Sequence, residues 1–199
     1  PAEVDIPAGT TVVDFATPQS VAIFGQPGLA QDDPDWFTAT VLNHVLGGGG
    51  FESRLMTEVR EKRGLTYGVY SYLVPMDHSA LYLGRVASAN DRIAEAISVI
   101  RDEWRKMAED GVTEAELEQA KTYLTGAYPL RFDGNGPIAR ILVGMQMDGL
   151  SPGYVTTRNA EVEAVTRDDV ARVAARLLDP EALRFVVVGR PEGLEDEAP

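Results

Sequence analysis

Two side chains in the sequence could bind or polarise a carbonyl oxygen: Arg60 and Tyr67. A guanidinium is a cationic donor and a phenol is a neutral O–H donor, so together they could stabilise a developing oxyanion. Residues 46–72 could bring them together, because a glycine run leads into a short amphipathic helix carrying Arg60, and an alternating strand begins near Tyr67. Residue type alone, however, favours an arginine on a solvated helix face and a tyrosine in a sheet.

The two histidines, His44 and His78, do not have the spacing of a helical zinc peptidase site. Such a site needs two histidines four residues apart, so that both rings face one metal ion, and a glutamate that activates the bound water. The positions four residues from each histidine cannot complete the pair. We therefore expect no metal bound by this chain. The sequence also lacks cysteine, which excludes disulfides and thiolate catalysis.

Other catalytic arrangements find little support. A serine nucleophile needs a local base, and no serine pairs with a histidine in a recognisable pattern. The glycines at 47–50 lack the lysine and Ser/Thr of a phosphate-binding loop and follow a helix instead of a strand. They could simply end that helix, or they could permit close approach near the candidate site, in which case Gly48 and Gly49 are the expected substrate contacts.

The composition is that of a globular protein with an acidic surface. The chain has 199 residues, is 44% hydrophobic, and carries a formal charge of -13 from 31 acidic and 18 basic side chains. This balance argues against nucleic acid or an anionic membrane as partner.

No apolar run approaches the roughly 20 residues that span a bilayer. The first residue is Pro1, which suggests a processed product or an excised domain, and the compartment stays open between bacterial periplasm and cytoplasm.

Alternating apolar residues predict the strands. They are expected at residues 10–15 and 20–25, at about 66–74 and 80–87, and at 183–189. We expect the first two to form an interrupted pair with each other and the next two to form a hairpin through residues 75–79.

Apolar spacing and capping patterns predict the helices. They are expected at 33–45 with Asp33 as N-cap, at about 91–107, at 113–128, as two helices with a bend within 129–153, and at 170–178. Capping boxes are expected for Ser88 with Asp91, Thr113 with Glu116 and Thr166 with Asp169. These elements predict an α+β fold, in which a mostly antiparallel sheet packs against several helices as a two-layer sandwich. We expect one domain over residues 1–190 and a disordered acidic tail over 191–199.

Residues 46–72 resemble the pitrilysin and insulinase type of zinc peptidases, and most closely the branch of mitochondrial processing peptidase and its bacterial relatives. The resemblance rests on Ser53-Arg-Leu, on Arg60-Glu-Lys-Arg-Gly-Leu, and on the tyrosine seven residues after Arg60. A second matching segment is Gly111-Val-Thr-Glu-Ala-Glu-Leu-Glu-Gln-Ala-Lys121. The resemblance covers roughly residues 15–190.

A subunit of that family contains two similar α+β domains, and the first holds zinc in a His-x-x-Glu-His motif. This chain resembles the second domain, which implies that Arg60 and Tyr67 bind the substrate carbonyl and stabilise the tetrahedral intermediate at zinc held elsewhere. The resemblance also implies a zinc-bearing homologous domain or subunit as partner, as in a heterodimer, and an extended peptide substrate. Because the zinc motif is absent here, we expect the isolated chain to be inactive.

Two other functions stay open. Members of the family also serve as non-peptidase scaffolds in respiratory complexes and as inactive partner subunits, although a pure scaffold has no catalytic reason to retain Arg60 and Tyr67. The third possibility is an unrelated α+β module that binds peptides on its own.

Overall fold

The computed structural model describes residue 2 and residues 5–197, and it has one five-stranded sheet. The strands are β1 (Gly9–Asp14), β2 (Gln19–Pro27), β3 (Val69–Pro75), β4 (Ala80–Ala89) and β5 (Arg184–Gly189). They are ordered β1-β5-β2-β4-β3, and every neighbouring pair is antiparallel except β1 with β5. The predicted α+β class with a mostly antiparallel sheet is confirmed, and so is the β3–β4 hairpin.

The predicted pairing of the first two strands is wrong, because β5 lies between them. Thr10 of β1 is opposite Phe185, and Ala22 of β2 is opposite Val187. Proximity along the chain suggested direct pairing, but strand partners are chosen by packing across the whole sheet. The inner side chains of β5, Phe185 and Val187, are fully buried, as suits a strand with a neighbour on each side.

The helices pack against one face of the sheet. They are α1 (Trp36–Asn43), α2 (Ile93–Asp110), α3 (Glu114–Ala127), α4 (Asn135–Met147), α5 (Tyr154–Ala164) and α6 (Arg167–Leu177). Shorter helical pieces are π-helical turns at His44–Gly48 and Met56–Glu61 and 3-10 turns at Gly50–Glu52 and Pro129–Phe132. The capping boxes at Thr113 and Thr166 are present as predicted.

Three predictions about the helices are corrected by the structure. Asp33 does not cap α1, which begins at Trp36; its Oδ1 instead accepts from the Asp35 N–H at 2.8 Å within the preceding turn. Ser88 lies in β4 and cannot form a capping box for α2, which begins at Ile93 without a side-chain cap. The region 129–153 holds a 3-10 turn and α4, and α5 follows as a helix that was not predicted.

The core lies between α2 and the inner face of the sheet. The predicted inner face of α2 is buried: Ile93, Ile97, Ile100, Trp104 and Met107. Phe24 of β2 meets this face, with its ring centroid 5.9 Å from that of Trp104 in an edge-to-face arrangement. The opposite face of the sheet carries half-exposed apolar side chains, including Ile23, Tyr70 and Val186. Burial of one face fixes the register of every strand.

Part of the acidic tail lies along β1, although we expected disorder from its composition. The N–H of Glu197 donates to the carbonyl of Thr10 at 2.8 Å, and the N–H of Thr10 donates to Glu197 Oε2 at 3.0 Å. The N–H of Val12 donates to Asp196 Oδ1 at 3.3 Å. Main-chain N–H groups on the edge strand β1 thus bind these carboxylates, and composition alone does not reveal such partners. Residues 198 and 199 lie outside the described part of the chain.

Candidate functional site

The helical segment of residues 54–61 positions Arg60. Ser53 precedes it in an extended conformation, and its hydroxyl accepts from the Met56 N–H at 3.4 Å, which caps the first turn. Met56 and Val59 are buried, so the segment is anchored by its apolar face. Arg60 lies near the C-terminal end of this segment and is half-buried.

Arg54 ties the same segment to α3. Its Nε donates to Glu116 Oε1 at 2.7 Å, its Nη2 donates to Glu116 Oε2 at 2.8 Å, and Nη2 also donates to the Gly111 carbonyl at 2.9 Å. Burial raises the pKa of Glu116, but hydrogen bonds from Arg54 and from Thr113 outweigh it and lower that pKa to about 2. The arginine of the Ser-Arg-Leu sequence therefore has a structural role.

A glycine turn delivers the chain from Arg60 to Tyr67. Gly64 has φ +60°, a left-handed conformation that favours glycine. Its N–H donates to the carbonyl of Arg60 at 2.8 Å, and the next N–H, of Leu65, donates to the carbonyl of Val59 at 3.0 Å. The helical segment is closed by these bonds, and the chain reverses toward β3.

Two hydroxyl groups fix the loop that carries Tyr67. Thr66 Oγ1 donates to the carbonyl of Ala87 at 2.6 Å and accepts from the N–H of Gly68 at 3.0 Å. Ser88 Oγ donates to the carbonyl of Leu65 at 2.5 Å. The bonds to Ala87 and from Ser88 connect the loop to β4, so the sheet sets the position of Tyr67.

Arg60 and Tyr67 line one depression of about 550 Å³. Ala87 and Ala89 contribute from β4, on the sheet face that the helices do not cover. Tyr67 is 88% exposed, and Arg60 Cζ lies 4.6 Å from the ring centroid of Phe51. Within residues 5–197, neither the Arg60 guanidinium nor the Tyr67 hydroxyl forms a hydrogen bond, so both can donate to a ligand oxygen.

Arg92 also lines this depression, and sequence reasoning did not identify it. Its Nη2 donates to the carbonyl of Arg63 at 3.2 Å, and its Nε lies 3.6 Å from Glu95. Arg92 lies three residues after the end of β4 and is the N-cap of α2. Because β4 also holds the Tyr67 loop, the position of that loop on β4 is the one signal that could have pointed to Arg92.

Gly48 and Gly49 do not line the depression that holds Arg60 and Tyr67. A Cβ on Gly48 would lie 2.6 Å from Asn43 Nδ2, and one on Gly49 would lie 2.6 Å from the His44 carbonyl. Close local packing therefore explains these two glycines. Their contact with substrate stays a prediction.

His44 packs against α3. The ring of His44 stacks on Tyr123 with centroids 4.9 Å apart, and burial lowers the pKa of His44. Among residue 2 and residues 5–197, no group of three or more His, Asp or Glu side chains could hold a metal ion. No described helix meets the length and apolarity needed to cross a membrane.

Comparisons with known proteins identify the family and the fold of the chain. The family model described as "Peptidase M16 inactive domain" matches residues 2–124. An uncharacterized zinc protease of Streptomyces coelicolor is 35% identical over 162 residues, which cover 81% of this chain and 35% of that protein. A non-peptidase homolog of Helicobacter pylori is 34% identical over 118 residues, covering 58% of this chain and 27% of that protein.

A solved structure extends the agreement to nearly the whole chain. The crystal structure of a peptidase M16 inactive domain from Pseudomonas fluorescens has a TM-score of 0.85 and 29% sequence identity, and the match covers 96% of this chain and 45% of that one. The chain spans about a third of the length of the curated relatives that it matches. The resemblance of residues 46–72 to zinc peptidases is confirmed at the level of the family. The chain belongs to the family of the peptidase M16 inactive domain.

Proposed function

We propose that this chain is the zinc-free half of an insulinase- and pitrilysin-like metalloendopeptidase. In this function, Arg60 and Tyr67 bind the peptide and stabilise the oxyanion at a zinc site carried by another domain or subunit. A zinc-bearing homologous half, similar to the partner in a mitochondrial processing peptidase heterodimer, completes the site. The isolated chain is then inactive.

One observation carries this proposal: two donors from different segments line one open depression, and neither has a hydrogen-bond partner among the described residues. An arginine or tyrosine with a purely structural role usually donates to a neighbouring carbonyl or carboxylate, as Arg54 does. The structure around Arg60 and Tyr67 instead fixes the backbone and leaves the polar ends accessible.

The chemistry of the two side chains suits acyl transfer. As a carbonyl becomes tetrahedral, its oxygen gains negative charge, and preorganised donors stabilise that charge more than they stabilise the substrate. Arg60 supplies a full positive charge, and Tyr67 supplies a neutral hydrogen bond. The helix cap at Gly64 and the hydrogen bonds of the Thr66 hydroxyl fix the backbone that carries both donors before substrate arrives.

An extended peptide is the substrate class that this geometry favours. Tyr67 lies two residues before β3, and β3 is an edge strand of the sheet. A peptide lying beside β3 could use main-chain hydrogen bonds while one of its carbonyl groups faces the two donors.

The test uses the complex with the zinc-bearing partner. We expect Tyr67→Phe and Arg60→Gln each to lower kcat by roughly 10²-fold, the usual effect of losing one oxyanion donor. Tyr123→Phe and Arg190→Gln are the matched controls, since both residues are solvent-accessible and lie outside both β3 and the depression. Peptide cleavage under saturating substrate measures the effect. Unchanged kcat in both test variants would refute the catalytic assignment.

A second candidate function is a non-catalytic partner or structural subunit. The relationship to the non-peptidase homolog of Helicobacter pylori favours it. Metal analysis and a peptide cleavage assay on the assembled protein distinguish the two functions. Absence of both zinc and cleavage with every partner would support the structural role.

A further inference from the structure

A second depression lies among the helices and shares no residue with the first. Its volume is about 590 Å³, within the range of roughly 300–1,000 Å³ typical of small-molecule sites. α1, α4 and α5 form its walls, together with the 3-10 turn at Pro129–Phe132.

Three arginines, Arg131, Arg140 and Arg158, line this depression with Asp148 as the only carboxylate. Such an excess of positive charge is unexpected in a chain whose formal charge is -13. Within the described residues, none of the three guanidinium groups forms an ion pair with a carboxylate. Their charge is therefore available to an anion from outside the chain.

The side chain of Arg158 is held in position. Its Nη1 donates to the carbonyl of Leu124 at 2.7 Å and to Asn159 Oδ1 at 3.0 Å. Its Cζ lies 4.5 Å from the ring centroid of Tyr128. Burial lowers the pKa of Arg158, and the positive charge of Arg131 adds to that effect although the nearby tyrosines oppose it. An anion between the two arginines would offset their repulsion.

Aromatic side chains form the rest of the wall. Trp36, Phe37 and Tyr154 line the depression, and the rings of Phe37 and Tyr154 stack with centroids 6.0 Å apart and an interplanar angle of 23°. Ile141 adds an aliphatic surface from α4. A flat ring could pack against this wall while charged groups reach the arginines.

We propose that this depression binds a small organic anion in which a flat ring is joined to phosphate or carboxylate groups. The guanidinium groups recognise the anionic groups, and the aromatic wall recognises the ring. This binding does not depend on peptidase activity, because none of these residues belongs to the Arg60–Tyr67 depression.

Calorimetric titration of the 199-residue chain with four probes tests the proposal. Adenosine diphosphate carries a ring with phosphates, and benzene-1,2,4-tricarboxylate carries a ring with carboxylates. Pyrophosphate has charge without a ring, and adenosine has a ring without charge. We expect at least one of the first two probes to bind about tenfold more tightly than both of the last two. The tighter of the first two identifies phosphate or carboxylate as the preferred group.

Variants locate the binding. Arg140→Gln should weaken the best probe about tenfold, and Arg140→Lys should restore part of the loss because it retains the charge. Arg167→Gln is the control, an exposed arginine of α6 outside the depression, and it should change binding less than twofold. Circular dichroism verifies that each variant is folded.

Three results would overturn the proposal. The first is that neither ring-bearing anion binds below about 1 mM. The second is that pyrophosphate binds as tightly as they do, which indicates general charge attraction. The third is an equal loss in Arg140→Gln and Arg167→Gln.

Discussion

Arg54 and Glu116 stabilise the helical segment that carries Arg60. Their side chains are only 18% and 28% exposed, and their geometry is bidentate, which makes the pair stronger than an ordinary surface ion pair. Because Glu116 also closes the capping box of Thr113, one carboxylate serves the cap of α3 and the anchor of residues 54–61. The candidate site therefore depends on a residue that does not line it.

This carboxylate makes a specific contribution to acid stability. The pKa of Glu116 is about 2 in the folded chain, against an ordinary value of 4.5, so the folded state binds the proton less readily. The stabilisation is complete above pH 4.5 and is lost as the pH falls toward 2. We expect Glu116→Gln to lower the free energy of unfolding by about 2 kcal/mol at neutral pH, and by progressively less between about pH 5 and 2.

Urea unfolding of both proteins across this pH range measures the effect. Glu118→Gln is the control, since Glu118 is 63% exposed and lies 3.7 Å from Lys121. It should change stability by less than about 0.5 kcal/mol. A loss in Glu116→Gln that does not vary with pH would contradict the assignment of the low pKa.

At the scale of elements, Gly47 lets the π-helical turn of residues 44–48 approach β3. A Cβ on Gly47 would lie 2.4 Å from Ser71 Oγ and 2.8 Å from the Ser71 backbone nitrogen. The backbone nitrogen cannot move without disturbing the strand, so this contact requires glycine. The glycine run of residues 47–50 thus joins a helix to the sheet, in addition to ending that helix.

Gly47→Ala is expected to lower the free energy of unfolding by about 2 kcal/mol, because the added methyl group overpacks the contact with β3. Gly126→Ala is the matched substitution in α3, where a Cβ would meet nothing within 4 Å. It should stabilise the chain by about 0.5 kcal/mol, because alanine favours a helix. Chemical unfolding compares the two. Equal effects would show that the contact at Gly47 can relax.

Local signals predicted local structure well. The capping boxes at Thr113 and Thr166 need only four consecutive residues, and both are present. The same pattern failed at Ser88, because its hydroxyl faces the Tyr67 loop from β4. α5 was missed because Val162 is its only fully buried residue, which gives almost no apolar periodicity.

The site was predictable only where its residues are close in sequence. Arg60 and Tyr67 are separated by one turn, so a helix-to-strand junction was enough to place them together. Arg92 enters the same depression from the turn between β4 and α2, and no local pattern specifies where that turn lies relative to Tyr67. Arg131 and Arg158 share a depression because α1, α4, α5 and the 3-10 turn at Pro129–Phe132 meet there, and no local sequence pattern predicted that packing.

At the scale of the whole molecule, Asp35 connects the start of α1 to α6. Asp35 is 7% exposed, and its Oδ1 and Oδ2 accept from Arg172 at 2.8 and 2.9 Å. Arg176 Nη1 donates to Asp35 Oδ2 at 2.5 Å. The pair between Asp35 and Arg172 joins residues 137 positions apart in the sequence, so it links the first helix of the layer to the last. The hydrogen bond from Arg172 lowers the pKa of Asp35 although burial opposes it.

Asp35→Asn should lower the free energy of unfolding by about 2 kcal/mol, because two arginines lose their shared carboxylate. Asp14→Asn serves as control: Asp14 is 73% exposed and pairs with Arg190, and its loss should cost less than about 0.5 kcal/mol. Denaturant melts at neutral pH compare the variants. A loss at Asp35 no larger than that at Asp14 would show that the connection contributes little to stability.

The carboxylates of Asp196 and Glu197 along β1 bear on the self-association of the chain. The outermost strand of a sheet offers main-chain donors that can nucleate fibrils by pairing with the same strand of another molecule. Here the donors of Thr10 and Val12 already bind carboxylates. Two molecules approaching through this edge would bring like charges together. We therefore expect these carboxylates to oppose self-association through β1, and we expect this effect to weaken when salt screens the charges or acid neutralises them.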